Sequence, residues 1–146
     1  MSWRDEAAAI AAARPRGILF LCVANSARSQ LAEGIARHLL PSDVRVQSAG
    51  STPTSVRPEA VQVLDEIGID ITSHHSKLVD TIDAVTVDAV ITLCAEEVCP
   101  TFLGSARRLH WGLPDPAAVE GPGRLDAFRA TRDELSRRLR VIAEAW

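Results

Sequence analysis

The stretch Ile18-Leu19-Phe20-Leu21-Cys22-Val23-Ala24-Asn25-Ser26-Ala27-Arg28-Ser29 decides the reading of this chain. Its first six residues form a continuous apolar run after Pro15-Arg16-Gly17, the pattern of a central strand covered by helices on both faces. From Ser29 to Leu40 the spacing of Leu31, Ile35 and Leu39 is helical, and Pro41 ends it. The unit is strand, loop, helix, with Cys22 at the carboxyl end of the strand.

Outward from this unit the alternation continues. Val44 to Ser48 reads as a second strand, left by the loop Ala49-Gly50-Ser51-Thr52-Pro53. A helix starting at Pro58 turns Val61, Leu64 and Ile67 inward and stops before Gly68. Ala89 to Cys94 reads as a third strand and Arg107 to Trp111 as a short fourth. The last helix runs from about Leu125 to Ala145, with Leu125, Phe128, Leu135, Leu139 and Ile142 on one stripe. Its arginines, Arg124, Arg129, Arg132, Arg137, Arg138 and Arg140, form a solvated opposite side, with docking of a protein partner as the other reading. Strands alternating with helices predict an α/β fold with a parallel sheet and a ligand site beyond the carboxyl ends of its strands. Cys22, Cys94 and Asp115 all fall just past such ends.

A length of 146 residues suits one domain, and 47% hydrophobic with 24% charged residues is a globular composition. We divide it into a helical extension, residues 1–16, and a domain, residues 17–146; Ala7 to Ala13 is too short, and preceded by too acidic a segment, for a secretory signal. A net charge of −3 supplies no basic field for nucleic acid. No run approaches the ~20 apolar residues of a membrane span. Three cysteines are an odd number for a secreted disulfide framework, so a reducing cytoplasm is the expected setting.

The loop after the first strand has the chemistry of an oxyanion cradle. Backbone amides of Val23, Ala24, Asn25, Ser26 and Ala27 precede a helix whose dipole favours negative charge, and the same field favours Cys22 as a thiolate nucleophile. Arg28 offers two oxygens of an anion a planar fork. Ser29 is placed to donate to the sulfur, and Asn25 tolerates a left-handed backbone. A buried structural cysteine and a solvated arginine are the plainer reading of the same spacing. Asp115, in Leu113-Pro114-Asp115-Pro116, is a general acid, an electrostatic partner or simply a turn former. The histidines His38, His74, His75 and His110 show no metal-binding spacing with the cysteines, and neither metal nor cofactor is expected. Trp111 reads as packing beneath the Asp115 loop; Trp3 and Trp146 read as covers over apolar surface near the ends.

Leu21 to Gly34 resembles the active-site signature of thioredoxin-coupled arsenate reductases, which share a fold with low-molecular-weight tyrosine phosphatases. The likeness extends through Ser48-Ala49-Gly50, Gly68-Ile69-Asp70-Ile71, His75-Ser76-Lys77-Leu78, Ile91-Thr92-Leu93-Cys94, His110 to Ala117 and Phe128 to Glu134. It implies a four-stranded parallel sheet flanked by helices, with Cys22 attacking arsenate, Arg28 and the loop amides holding it, and Asp115 assisting proton transfer. Phosphate and sulfate would compete as anions. The resemblance further implies that Cys94 and Cys99 are the second and third cysteines of a thiol relay that thioredoxin regenerates. Only four residues separate them, fewer than in the best-known members. Coupling to glutathione or mycothiol, a tyrosine phosphatase, and a non-catalytic oxyanion or redox sensor are the alternatives. Against a phosphatase, the chain has no tyrosine and its acid loop no aromatic residue for a substrate ring. Relatives also bind potassium beside the loop; Asn25, Glu33 and Ser48 match that site, but Lys77 stands where a carboxylate would help.

Overall fold

A computed structural model describes residues 2–95, 99–102 and 104–146. Of the four residues that separate Cys94 and Cys99, residues 96–98 lie outside the described residues. Helix α1 spans Trp3–Ala13, strand β1 Gly17–Cys22, helix α2 Arg28–Leu39, strand β2 Arg45–Gly50 and helix α3 Pro58–Asp65. Strands β3, Ala89–Thr92, and β4, Arg107–His110, then precede helix α4, Arg124–Glu144. Among the described residues the strands form one parallel sheet in the order β2-β1-β3-β4, so β1 is central.

The two faces of β1 are covered differently. Ile18 and Phe20 enter the larger core with Leu31 and Ile35 of α2, Val63 and Leu64 of α3, and Phe128, Leu135, Leu139 and Ile142 of α4. Fully burying each of these large side chains contributes ~1.5–3 kcal/mol. Leu19 and Leu21 face Val79, Val87 and Phe102. The helical elements beside that second face are single 3-10 turns, Val79–Thr81 and Ala84–Thr86. The continuous apolar run demanded two dry faces, and among the described residues one of them is covered by Val79, Val87 and Phe102, with Ile82 and Ala106, rather than by an α-helix.

Helix α3 also corrects the sequence reading. Ala60, Val63 and Leu64 are its buried residues, Val61 is half-buried and Ile67 is 42% exposed. Gly68 ends the helical region as expected. At φ +79° it lets its own N–H reach the carbonyl of Asp65, and the N–H of Ile69 the carbonyl of Leu64, which closes a Schellman motif. That turn rotates Ile67 out and brings Ile69 in. Helix α1 is more than a surface cover: Ala7, Ile10 and Ala11 are at most 1% exposed and belong to the larger core. Nor is the arginine side of α4 simply wet. Arg129 and Arg132 both bind Glu66 beyond α3, at 2.7 Å each, and Arg138 binds Glu134 at 2.6 Å.

Candidate active site

The loop from Val23 to Ala27 is held from outside by its carbonyls. Those of Val23, Ala24 and Ser26 accept the amides of Thr52, Thr54 and Arg57 at 2.9 to 3.1 Å, and that of Asn25 accepts Ser76 Oγ at 2.7 Å. Among the described residues no acceptor takes the amides of Ala24, Asn25, Ser26 or Ala27. Helix α2 follows without a side-chain cap. A loop with engaged carbonyls and unengaged amides beside a helix N-terminus has the donor set and field that an anion needs. Asn25 has φ +49°, the left-handed conformation that makes the turn possible. Gly50 lets β2 approach it, since a Cβ there would stand 2.3 Å from the carbonyl oxygen of Val23.

Beneath the loop the protons are ordered. Asn25 Oδ1 accepts the Lys77 amide at 2.9 Å and Gln30 Nε2 at 3.1 Å, which fixes the amide orientation. Asn25 Nδ2 therefore donates, to Ser29 Oγ at 2.7 Å and to Ser48 Oγ at 2.9 Å. Ser48 passes its own proton to Glu33 Oε1 at 2.6 Å. Ser29 has one lone pair occupied in this way and lies 2.8 Å from Cys22 Sγ, so that with Cys22 as a thiolate its hydroxyl is the donor. The arrangement suits a negative sulfur. Cys22, Asn25, Ser29, Glu33 and Ser48 are all at most 3% exposed.

Glu33 anchors this chain from α2. Arg37 Nε stands 3.1 Å and His74 Nε2 3.5 Å from its Oε2, and Lys77 Nζ stands 3.8 Å from its Oε1. Burial pushes the His74 pKa below its ordinary value, with Glu33 acting against that shift. Lys77, which stands where a carboxylate would help a bound potassium ion, thus brings an ammonium to Glu33. Gln30 and Ser76, which fix Asn25, were missed by sequence reasoning. The signal for Gln30 was a helix start whose polar residues, Arg28, Ser29, Gln30 and Glu33, leave no consistent wet face.

Arg28 and Asp115 come together across the carboxyl end of the sheet. Arg28, 3% exposed, donates to the Leu113 carbonyl at 2.9 Å, and its Nη2 stands 3.9 Å from Asp115 Oδ2. Asp115 Oδ1 accepts the Ala117 amide at 3.0 Å, capping the 3-10 turn Pro116–Ala118. Its side chain is 36% exposed. Asp115 thus caps a turn with one carboxylate oxygen and turns the other toward Arg28. Trp111 packs below, 1% exposed, and His110 Nδ1 lies 2.6 Å from Thr92 Oγ1.

Cys94 and Cys99 are joined by a disulfide, and Cys22 is a free, buried thiol. Cys94 follows β3 by two residues, in register beside β1. Cys99 Sγ lies 3.9 Å from the Leu21 carbonyl, next to Cys22 in the chain. All three cysteines therefore lie at the same end of two adjacent strands. Among the described residues no cluster of His, Cys, Asp and Glu forms a metal site, and no helix is long and apolar enough to cross a membrane.

Comparison with known proteins agrees with this geometry. An arsenate reductase of Halalkalibacterium halodurans is 42% identical over 131 residues, covering 87% of this chain and 94% of that protein. A solved arsenate reductase in the phosphate-binding state is 30% identical and superposes with a TM-score of 0.76, covering 88% of this chain and 96% of the other. A thioredoxin-dependent arsenate reductase of Corynebacterium glutamicum is 29% identical with a TM-score of 0.65, covering 94% of this chain and 66% of its own. The family model for low molecular weight phosphotyrosine protein phosphatases matches residues 17–145. The chain belongs to that family and, within it, to the arsenate reductase group.

Proposed function

We propose that this protein reduces arsenate to arsenite in the cytoplasm, through Cys22, Cys94 and Cys99, with thioredoxin regenerating the thiols. The observation that carries the reading is the grouping of the cysteines: a free Cys22 against the Ser29 hydroxyl and a Cys94–Cys99 disulfide at the end of the adjacent strand. A phosphatase requires the first cysteine alone. The names of the relatives support the substrate, and the Corynebacterium glutamicum neighbour supports the reductant.

In the mechanism the Cys22 thiolate attacks arsenic while Arg28 and the amides of Val23 to Ala27 hold the oxyanion. Asp115 gives a proton to an arsenate hydroxyl, which leaves as water. The Cys94 thiolate attacks the Cys22 sulfur; the S–As bond breaks with its electron pair on arsenic, releasing arsenite and leaving a Cys22–Cys94 disulfide. Cys99 then attacks Cys94, freeing Cys22 and forming Cys94–Cys99. Two electrons have passed from two thiols to one arsenic, and thioredoxin returns them. Phosphate and sulfate compete for the loop because they share its tetrahedral oxyanion chemistry.

Arsenate-dependent oxidation of NADPH through thioredoxin reductase and thioredoxin, run beside aryl phosphate hydrolysis, tests the activity. Sustained oxidation is expected; hydrolysis without oxidation would make the protein a phosphatase, and one oxidation without turnover a sensor. Mass spectrometry after an arsenate pulse tests the relay. Cys99→Ser should release about one arsenite per chain and stall as Cys22–Cys94. Full turnover by Cys99→Ser with thioredoxin alone would sink the three-cysteine scheme. Full turnover by Cys94→Ser with glutathione or mycothiol would favour a small thiol as reductant.

A further inference from the structure

We propose that Trp3 and Arg138 are positioning residues for Asp115, acting through Trp111. Trp3 opens α1, outside the residues matched by the family model. Its ring meets that of Trp111 edge to face, with centroids 6.3 Å apart and planes at 85°. The Arg138 guanidinium lies over both rings, 5.3 Å from the centroid of Trp3 and 5.5 Å from that of Trp111, and its Nε is fixed by Glu134 Oε2 at 2.6 Å. The guanidinium groups of Arg4 and Arg137 also lie over the Trp3 ring, 4.7 and 5.2 Å from its centroid. Cations over indole faces and edge-to-face indoles are directional contacts, so they fix the angle of a ring as well as bury it.

The angle of Trp111 matters because the acid loop starts from its backbone. The Trp111 amide donates to the Thr92 carbonyl at 2.8 Å, and two residues on, the Leu113 amide donates to the Leu93 carbonyl at 3.0 Å. The Leu113 carbonyl is the one that Arg28 binds. Pro114 leads directly to Asp115, and its fixed φ leaves the carboxylate little independent freedom. Gly112 lies between the two anchors, where a Cβ would stand 3.0 Å from the Cys94 carbonyl oxygen. A tilt of Trp111 is thus passed along a short, stiff connection to the proton donor. Helix α1 braces the acid loop through Trp111, and Arg28 holds it at the Leu113 carbonyl.

This inference rests on the reading of Asp115 as proton donor, and two measurements on Trp3→Ala and Trp3→Phe keep the two claims apart. The first is the single-turnover rate of arsenite release from the reduced enzyme at saturating arsenate. Trp3→Ala should lower it about tenfold while half-saturating arsenate and inhibition by phosphate stay within about twofold, and Trp3→Phe should restore most of the rate. The second is amide hydrogen exchange, which needs no turnover. In Trp3→Ala the amides of Leu113, Ala117 and Ala118 should exchange about tenfold faster, with those of Thr52 and Thr54 unchanged. An unaltered rate, or an exchange increase spread evenly over the chain, would overturn the bracing role. Absence of turnover in the unaltered protein would instead fail the reductase reading, and the exchange pattern would still decide whether α1 holds the loop.

Discussion

The two loops that Arg28 ties together are built on opposite plans. The Val23 to Ala27 loop is fixed through its carbonyls and Asn25 by many partners, from buried Ser29, Gln30 and Ser48 to Ser76 and the backbone of Thr52, Thr54 and Arg57. The acid loop hangs on two backbone bonds, one arginine and the ring of Trp111, and its carboxylate is 36% exposed. A receptor for a fixed tetrahedral anion gains from rigidity, because its donors need no reorganisation when charge arrives. A proton donor has to meet a leaving group and exchange its proton with water. Damage to the first loop should therefore appear as lost stability, and damage to the second as lost rate.

The sharpest test is Asp115→Asn. Asparagine keeps an oxygen for the Ala117 amide but cannot donate the proton, so turnover should fall by ~10²–10⁴-fold with little change in melting temperature. A large drop in melting temperature would erase the distinction between the loops. Asn25→Ala probes the other side. It leaves the Lys77 amide, Gln30 and both serines short of a buried partner, and urea unfolding should show a loss of ~2–4 kcal/mol. If Asn25→Ala unfolds at the same urea concentration as the parent, the first loop is not the rigid one.

A smaller effect concerns Lys77, whose ammonium stands 3.8 Å from Glu33 Oε1 and would, if it substitutes for a bound cation, make the protein indifferent to potassium. Exchanging sodium for potassium at equal ionic strength should change neither turnover nor melting temperature, and a clear rise with potassium would show that the ammonium does not replace the ion. Least of all should be felt from Glu66, remote from both loops. Hydrogen bonds from Arg129 and then Arg132 hold its pKa at about 2 instead of 4.5. The folded value lies below the unfolded one, so the stabilisation is present above pH 4.5 and is lost as pH falls through about 2. Glu66→Gln should remove that acid dependence from melting curves while leaving turnover at neutral pH intact.

Much of this is legible in the residues. The run Ile18 to Val23, followed by helical spacing, marks β1, the loop and α2, because buried strands and amphipathic helices have distinct periods. The parallel sheet and the placement of Cys22, Cys94 and Asp115 past strand ends come from the alternation of strands and helices. The failures have physical causes. Periodicity misassigns the inward face of α3 because its last turn is set by the left-handed Gly68, which a helical repeat does not register. It also misassigns the second cover of β1, because Phe102 and two 3-10 turns bury as well as a helix does. Trp3 reads only as a cover because its partners, Trp111 and Arg138, are more than a hundred residues away in sequence.

The outer margin of β2 has a consequence for behaviour in crowded solution. Exposed sheet edges invite strands of other molecules, and aggregation begins there. On β2 the Val46 carbonyl is already taken by Arg37 Nη2 at 2.8 Å and the Gly50 amide by the Lys77 carbonyl at 2.9 Å, the latter through an isolated parallel bridge between Gly50 and Leu78. At the opposite margin Arg107 and Arg108 are exposed on β4, and Arg108 is tethered to the carbonyls of Phe102 and Gly104. A stray strand approaching either border finds a guanidinium or an occupied backbone group, so the contacts that orient Glu33 and Asn25 also keep neighbouring molecules from adding to the sheet.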